Sequence, residues 1–272
     1  MLSFRKTVAA AVCTIALGAC ASAQTPPAGG AAYEPTVGQS GKDVIWVPTN
    51  QHLVDSMLGL AKIKPEDYLV DLGSGDGRTV ITAAKRGTRA HGIEFNGDLV
   101  EVSKRAAQRE GVAETATFEQ ADIFKTDFTK ASVVTLFLLS DLNLRLRPTL
   151  LDMKPGTRVV SNSFTMDDWE PDDSARVSEG CNSFCNAFLW IVPAKVEGNW
   201  TLGGKPLALE QKFQKFTGKL GQGDNALALS NTRLDGANIE FSVGSERYTG
   251  QVNGKTMAGT TSSGAAWQAA RM

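Results

Sequence analysis

Between residues 44 and 193 the chain alternates short apolar runs with segments whose apolar positions recur at helical spacing. Val44-Ile45-Trp46-Val47 reads as an extended stretch that Pro48 stops. Thr49 or Asn50 is then placed to cap a helix carrying Leu53, Val54, Met57, Leu58 and Leu60. The pattern further predicts strands over 68–72, 90–95, 116–120, 133–139 and 158–163, with helices over 79–86, 99–109 and 142–153 between them. The 133–139 run is apolar but for Thr135, as a central strand covered on both faces requires. Strands alternating with helices predict an α/β domain built on a largely parallel sheet, placed at residues 44–196.

After Pro193 the helical stripe disappears. Short alternating segments take over at Leu207-Ala208-Leu209, Phe213 to Phe216, Leu227-Ala228-Leu229, Ile239 to Val243, Tyr248 to Val252, and from Trp267 onward. Gly203-Gly204, Asp235-Gly236 and Asn253-Gly254 separate them, and such dipeptides between alternating runs are hairpin signals. Residues 197–272 are therefore expected to form a small antiparallel β meander or barrel-like domain. Trp169, Trp190, Trp200 and Trp267 read first as core or hairpin packing.

The N-terminus has a different character. Arg5 and Lys6 precede an apolar stretch over 7–17 and then small residues, the layout of a secretory signal over residues 1–23. The stretch is too short to span a bilayer as a helix. Two cleavage readings compete. Ala21-Ser22-Ala23 before Gln24 suits ordinary cleavage, while Leu17-Gly18-Ala19-Cys20 has the form of a bacterial lipobox, in which Cys20 would be acylated. Either way the expectation is export to the periplasm, with membrane attachment only through a lipid at Cys20. Residues 24–43, rich in Pro, Gly, Ala and Thr, read as a flexible linker.

Export changes the cysteine reading. Cys13 lies in the signal and Cys20 is the lipobox residue or is removed, which leaves Cys181 and Cys185. An oxidising compartment favours a small disulfide between them, with two free thiols as the alternative. A metal reading is weak, because His52 and His91 are both remote in sequence, and no metal is expected. Composition adds exclusions. With 42% hydrophobic and 21% charged residues in 272, the chain is an ordinary globular one rather than a disordered or coiled-coil one. Its net charge is −1, and more negative without the basic leader, so no global electrostatic footprint for nucleic acid is expected, and nothing in the sequence points to a local basic groove.

The chemistry concentrates in Asp71-Leu72-Gly73-Ser74-Gly75-Asp76-Gly77-Arg78, where an apolar strand runs into three alternate glycines and then a helix. Glycine permits positive φ and lets a ligand approach bare backbone, and the first amides of the helix face that ligand. A dinucleotide fingerprint would put its third glycine at position 78, which is Arg78. Glu94 follows at the end of the second strand in Gly92-Ile93-Glu94, where a carboxylate can accept from both ribose hydroxyls. Asp122 follows at the end of the third strand in Gln120-Ala121-Asp122-Ile123. Any one of these acids alone would read as a helix cap or a surface charge. Together, in order at strand ends, they point to a nucleoside cofactor.

The loop resembles motif I of the class I S-adenosylmethionine-dependent methyltransferases, acid-x-Gly-x-Gly-x-Gly. The resemblance narrows through Val47-Pro48-Thr49, Gly92-Ile93-Glu94-Phe95-Asn96, Val133 to Asn143, Pro155 to Ser161 and Leu189 to Pro193. These are similar to a bacterial and mitochondrial branch that includes lysine methyltransferases acting on inner-membrane proteins such as the c-ring protein of ATP synthase. The resemblance covers residues 44–193 and implies a Rossmann-like seven-strand sheet with S-adenosylmethionine as cofactor. It carries Thr49, Asp71, Gly73, Ser74, Gly75 and Asp76 over as cofactor-binding positions, and with them Gly77, Glu94, Asp122 and Ile123. Asp71 would hold the methionine amino end and Asp122 the adenine amino group. Where the family usually has proline this chain has Ser140, which puts the shape of the fourth-strand loop in question.

The resemblance implies a protein substrate accepting methyl on lysine. Asn-Pro-Pro-Tyr, a signature of nucleobase and glutamine methylation, is absent from the fourth-strand end. Ser140, Asp141 and Asn143 are the acceptor-contact candidates there, with helix capping as the plainer reading for Asp141 and Asn143. His52 reads as a cofactor neighbour or a surface residue, and His91 as structural. S-adenosylmethionine is made in the cytoplasm, so export opens an alternative: a periplasmic binding module that keeps the fold without turnover. The oligomeric state is not legible in the chain.

Overall fold

The computed structural model describes residues 1–2 and 33–272. The expected signal segment, Cys13, Cys20 and the first part of the expected linker lie outside the described residues. Residues from Tyr33 to Met272 form one compact unit.

The chain enters the fold through helix α1 (Gln51–Leu60), capped by Asn50, whose side chain accepts from the His52 amide at 2.9 Å. Its buried stripe is Leu53, Val54, Met57 and Leu58. Then follow β1 (Tyr68–Leu72), α2 (Arg78–Lys85), β2 (Arg89–Glu94), α3 (Gly97–Arg109), β3 (Ala116–Gln120), β4 (Val133–Leu136), α4 (Ser140–Leu151), β5 (Arg158–Asn162), β6 (Asp173–Arg176) and β7 (Asn186–Ile191). The strands form one seven-stranded sheet in the order β3-β2-β1-β4-β5-β7-β6. Strands β3 to β5 pair in parallel, and β7 runs antiparallel between β5 and β6. Strand order reverses between β1 and β4, the switch point where open α/β sheets bind ligands.

Core residues divide between the two faces as the pleat requires. Leu69, Ala90 and Val133 pack with Leu53, Leu58, Val80, Ile81 and Val100 from α1, α2 and α3. Val70, Leu72, Val134 and Leu136 pack with Leu142, Leu146 and Leu150 from α4. The apolar run after Val133 is strand only to Leu136; beyond it Leu138 is buried and Leu139 exposed, and the segment turns over the sheet's end.

Residues 38–46, partly inside the segment expected to be a linker, fold back instead as a small hairpin. The Trp46 amide donates to the Gln39 carbonyl at 2.9 Å, and a bridge joins Ser40 to Ile45. Long-range contacts of Lys42 and Trp46, described below, hold this hairpin, and composition carries no trace of them.

The last third of the chain adds β8 (Gly198–Leu202), β9 (Lys205–Lys212), β10 (Lys215–Leu220), β11 (Leu227–Asp235), β12 (Asn238–Val243), β13 (Glu246–Asn253), β14 (Thr256–Thr261) and β15 (Ala266–Arg271). They close into an eight-stranded antiparallel barrel, β8 pairing with both β9 and β15, so no edge is left open. Gly203 and Gly204 both have positive φ, as a two-residue hairpin turn of this twist demands. Trp200, Phe241 and Met257 fill the barrel's core. The expected strand from Phe213 to Phe216 is corrected: Phe213 and Gln214 form the β9–β10 turn, with Phe213 at φ +54. The four tryptophans expected in cores are all buried. Cys181 and Cys185 form a disulfide.

Candidate functional site

The loop after β1 has glycine where its backbone needs it. Gly73, Gly75 and Gly77 have φ of +81, +55 and +80, a region L residues rarely adopt. At Gly77 a side chain is also excluded by space, since a Cβ there would lie 2.7 Å from the Phe118 ring and 2.8 Å from Ser103 Cβ. Gly77 therefore lets α2 approach the sheet and sits behind the cavity rather than in its wall. The Ser103 hydroxyl donates to the Gly75 carbonyl at 3.0 Å and fixes the loop from below.

The loop forms one wall of a cavity of about 260 Å³ at the switch point. Thr49, Asp71, Gly73, Ser74, Gly75, Asp76, Glu94, Asp122 and Ile123 all line it. Asp71 is buried at the end of β1, where its Oδ1 accepts from Thr135 Oγ1 at 2.6 Å. Burial pushes its carboxyl up to about 7; the Thr135 hydrogen bond opposes this, and the charges of Glu94 and Asp76 add to it. Glu94 accepts from the Gly75 amide and the Asn96 amide, each at 2.9 Å, one on each oxygen. The carboxylate is thereby aimed, with lone pairs left for a ligand. Asp122 accepts from the Phe124 amide at 3.0 Å and pairs with Lys42 at 2.9 Å. The Lys42 contact first, then that amide, lowers its carboxyl.

Arg78 latches the loop to the turn before α1. Its guanidinium grips the Asp76 carboxylate and donates from Nη1 to the Thr49 carbonyl at 2.8 Å. Lys42 lies 5.0 Å from the Phe95 ring centroid, and a Cβ on Gly75 would meet Trp46 Nε1 at 2.6 Å, so the hairpin covers the cavity from outside. The Ser74 hydroxyl is buried with no hydrogen-bond partner. An unpaired buried hydroxyl and a buried carboxylate without a cation are costly alone, and both suit a ligand carrying an amino and a carboxyl group.

Of the acceptor candidates, none lines the cavity. Ser140 opens α4, and Asp141 is exposed in its first turn. Asn143 neither caps α4 nor faces a ligand space: it is buried, and its Nδ2 contacts Ser161 Oγ at 3.3 Å and the Phe164 carbonyl at 3.2 Å. It holds the turn that presents Phe164. His52 is exposed and away from the cavity, and His91 contacts Thr117 Oγ1 at 2.8 Å between strands. Trp46, Lys42, Phe95, Phe137, Phe164 and Phe184 line the cavity and were not legible as site residues. They come from segments far apart in sequence; Trp46, Phe95 and Phe137 adjoin or fall within the motif segments, whereas Lys42, Phe164 and Phe184 lie outside them.

The sheet order and the glycine loop at its switch point define a class I S-adenosylmethionine-dependent methyltransferase. The family model for the ANTKMT methyltransferase domain matches residues 71–173. A protein-lysine N-methyltransferase of Saccharolobus islandicus is 38% identical over 152 residues, covering 55% of this chain and 94% of that protein. The Homo sapiens lysine N-methyltransferase named for the C-subunit of ATP synthase is 36% identical over 128 residues, covering 47% of this chain and 54% of that protein. The chain thus spans about half the length of the human relative. An RNA methyltransferase of Salinibacter ruber, solved with S-adenosyl-L-homocysteine, is 43% identical with a TM-score of 0.51, covering 55% of this chain and 96% of that one. The chain belongs to this methyltransferase family, and its cofactor is S-adenosylmethionine.

Proposed function

We propose that the protein methylates the side-chain amine of lysine in a protein substrate. The observation that carries this reading is the charge of the cavity mouth. Asp43, Asp76, Glu94 and Asp122 line it against Lys42 and Arg78, with Asp71 buried behind them, and both cations are already paired with carboxylates. Such a mouth attracts a cationic acceptor and repels a polyphosphate backbone. The relatives named for lysine favour the same acceptor over the RNA named for the Salinibacter protein.

The cofactor supplies a methyl group on a sulfonium, open to in-line displacement by a nucleophile. The chain's part is positioning and exclusion of water. Asp71 would pair with the cofactor's amino end, the unpartnered Ser74 hydroxyl would receive its carboxyl end, Glu94 would accept from its ribose hydroxyls, and Asp122 with Ile123 would border its adenine. Thr49 and Asp76 bound the same space, and Trp46 closes it from outside. In support stands the convergence of these residues on one cavity.

The signal pattern over residues 1–23 and the Cys181–Cys185 disulfide favour action in the periplasm, with attachment through Cys20 where the lipobox is used. The test is methyl transfer from labelled S-adenosylmethionine to lysine peptides and to RNA, beside the mature N-terminus by mass spectrometry. Label on lysine and not on RNA is expected. Cofactor binding without any transfer would instead favour the silent binding module.

A further inference from the structure

A second cavity, of about 250 Å³, adjoins the cofactor cavity and shares Thr49, Phe137 and Phe184 with it. Asn162, at the C-terminal end of β5, lines this second space and is 0% exposed. Its Nδ2 donates to Thr49 Oγ1 at 3.2 Å, while its Oδ1 is buried and has no partner. Buried amide oxygens are almost always paired; Asn143 Oδ1 also lacks a partner but borders neither cavity, whereas Asn162 lines one, so its oxygen points to a donor that arrives with a ligand. Phe137 and Phe184 line both cavities, and Phe164 joins their ring cluster from the cofactor cavity's wall. Phe137 is 6.2 Å from Phe164 and 5.3 Å from Phe184, and Phe164 is 5.9 Å from Phe184, centroid to centroid. Clustered rings of this kind attract ammonium groups and accommodate the apolar stem behind them. Phe184 is 42% exposed, sits at φ +54, and lies in the short loop that the Cys181–Cys185 disulfide closes.

We propose that this second cavity is the acceptor port: Asn162 receives the incoming primary amine, Phe137 and Phe184 wall its alkyl chain, and the disulfide fixes the position of Phe184. The proposal rests on the lysine reading above and names the residues that would serve it. Asn162 Oδ1 accepts one N–H of the neutral amine and leaves the nitrogen lone pair free. That pair forms the N–C bond to the methyl carbon while the C–S bond breaks and its electrons pass to sulfur. A proton then leaves the methylated nitrogen for solvent. An amide oxygen orients the amine without stabilising its ammonium form, as a carboxylate in the same place would.

The test compares the full-length wild type with N162A, N162D, F184A and C181S/C185S, using labelled S-adenosylmethionine and a lysine peptide. Cofactor affinity is followed in parallel by calorimetry. For N162A and F184A the KM for peptide is expected to rise about tenfold, the effect of roughly one lost hydrogen bond or contact, with cofactor Kd unchanged in N162A and changed far less than KM in F184A, whose ring borders both cavities. N162D should lower kcat and move the pH–rate profile to higher pH, because a carboxylate holds the amine protonated. Opening the disulfide, by C181S/C185S or by reductant, should raise KM alone. Should N162A not fold, F184A on its exposed loop carries the test. Wild-type kinetics in the variants, or a fall in cofactor affinity matching the fall in activity, would overturn the port while the lysine reading stands. A wild type that methylates no lysine defeats that reading and the port with it.

Discussion

Asp71 and Thr135 are direct partners in the parallel β1–β4 register, and the Thr135 hydroxyl donates to the Asp71 carboxylate at 2.6 Å across the switch point. That hydrogen bond alone does not compensate for burial, and the Asp71 carboxyl titrates near about 7 against 3.8 for an ordinary one. The folded protein therefore holds a proton on Asp71 that the unfolded chain has released. Between those two values the contribution of this group to stability falls as pH rises, and above the upper one it is constant. A cofactor ammonium beside the carboxylate reverses the preference and favours ionisation. Below about pH 7, then, binding must release a proton, and affinity must weaken as pH falls. Calorimetry in buffers of different ionisation enthalpy should find release at about pH 6 that fades by about pH 8. D71N should abolish the release, flatten the stability slope over the same interval, and weaken cofactor binding by roughly 10- to 100-fold.

Gly77 separates two costs that are usually confounded. Alanine there meets both a positive φ and the Phe118 ring, whereas alanine at Gly111, φ +70, meets the backbone cost with no atom within 4 Å. G111A should cost about 1 kcal/mol, and G77A about 2–4 kcal/mol, the excess being overpacking against Phe118 and Ser103. Denaturant midpoints with unchanged m-values check this. Equal costs would mean that α2 shifts to relieve the contact.

Lys42 occupies the place at Asp122 and over Phe95 that the adenine end of the cofactor is proposed to take. The lysine must leave or share that carboxylate when the cofactor binds. K42A should therefore raise the association rate and tighten binding a few-fold, and it should reduce the salt dependence of the rate. Stopped-flow fluorescence of Trp46, which covers Gly75, reports the event directly. Weaker binding by K42A would instead make the hairpin a clamp on the bound cofactor.

What the sequence revealed follows the range of the interactions involved. β1 and β3 were legible to the residue, because apolar runs bounded by turn residues are local signals. The glycine loop was legible because three alternate positions with positive φ strongly favour glycine. β6, Asp-Ser-Ala-Arg, has no buried residue to reveal it and exists through its pairing with β7. The cavity's outer wall depends on Lys42 meeting Asp122 across 80 positions, and the aromatic wall gathers residues 137, 164 and 184. No local pattern encodes such meetings. Asn143 illustrates the limit: it stands where acceptor contacts were expected, yet its side chain turns under the sheet to the Phe164 carbonyl.

Phe213 joins the barrel to the methyltransferase sheet. Its ring stacks on Trp169, with centroids 5.9 Å apart and planes 22° apart, and Arg147 lies 5.4 Å from its face. Beside it Gln214 Nε2 donates to the Glu170 carbonyl at 2.8 Å. Phenylalanine is a poor choice for the φ of +54 that this two-residue turn imposes, so the turn accepts about 1 kcal/mol of backbone cost. The contact with buried Trp169 outweighs it. F213A retains the backbone cost and loses the contact, and should destabilise by about 2 kcal/mol, less than a fully buried ring because Phe213 is only half-buried. F213G loses the same contact but removes the backbone cost, and should recover about 1 kcal/mol of that loss. Both variants should keep cofactor affinity, since Phe213 lies outside the cavity wall. Thermal unfolding that splits into two transitions in F213A, and stays single in the wild type, would identify this ring as the coupling between sheet and barrel; a single transition at lower temperature would place the coupling in the Ala194–Gly236 backbone contact instead.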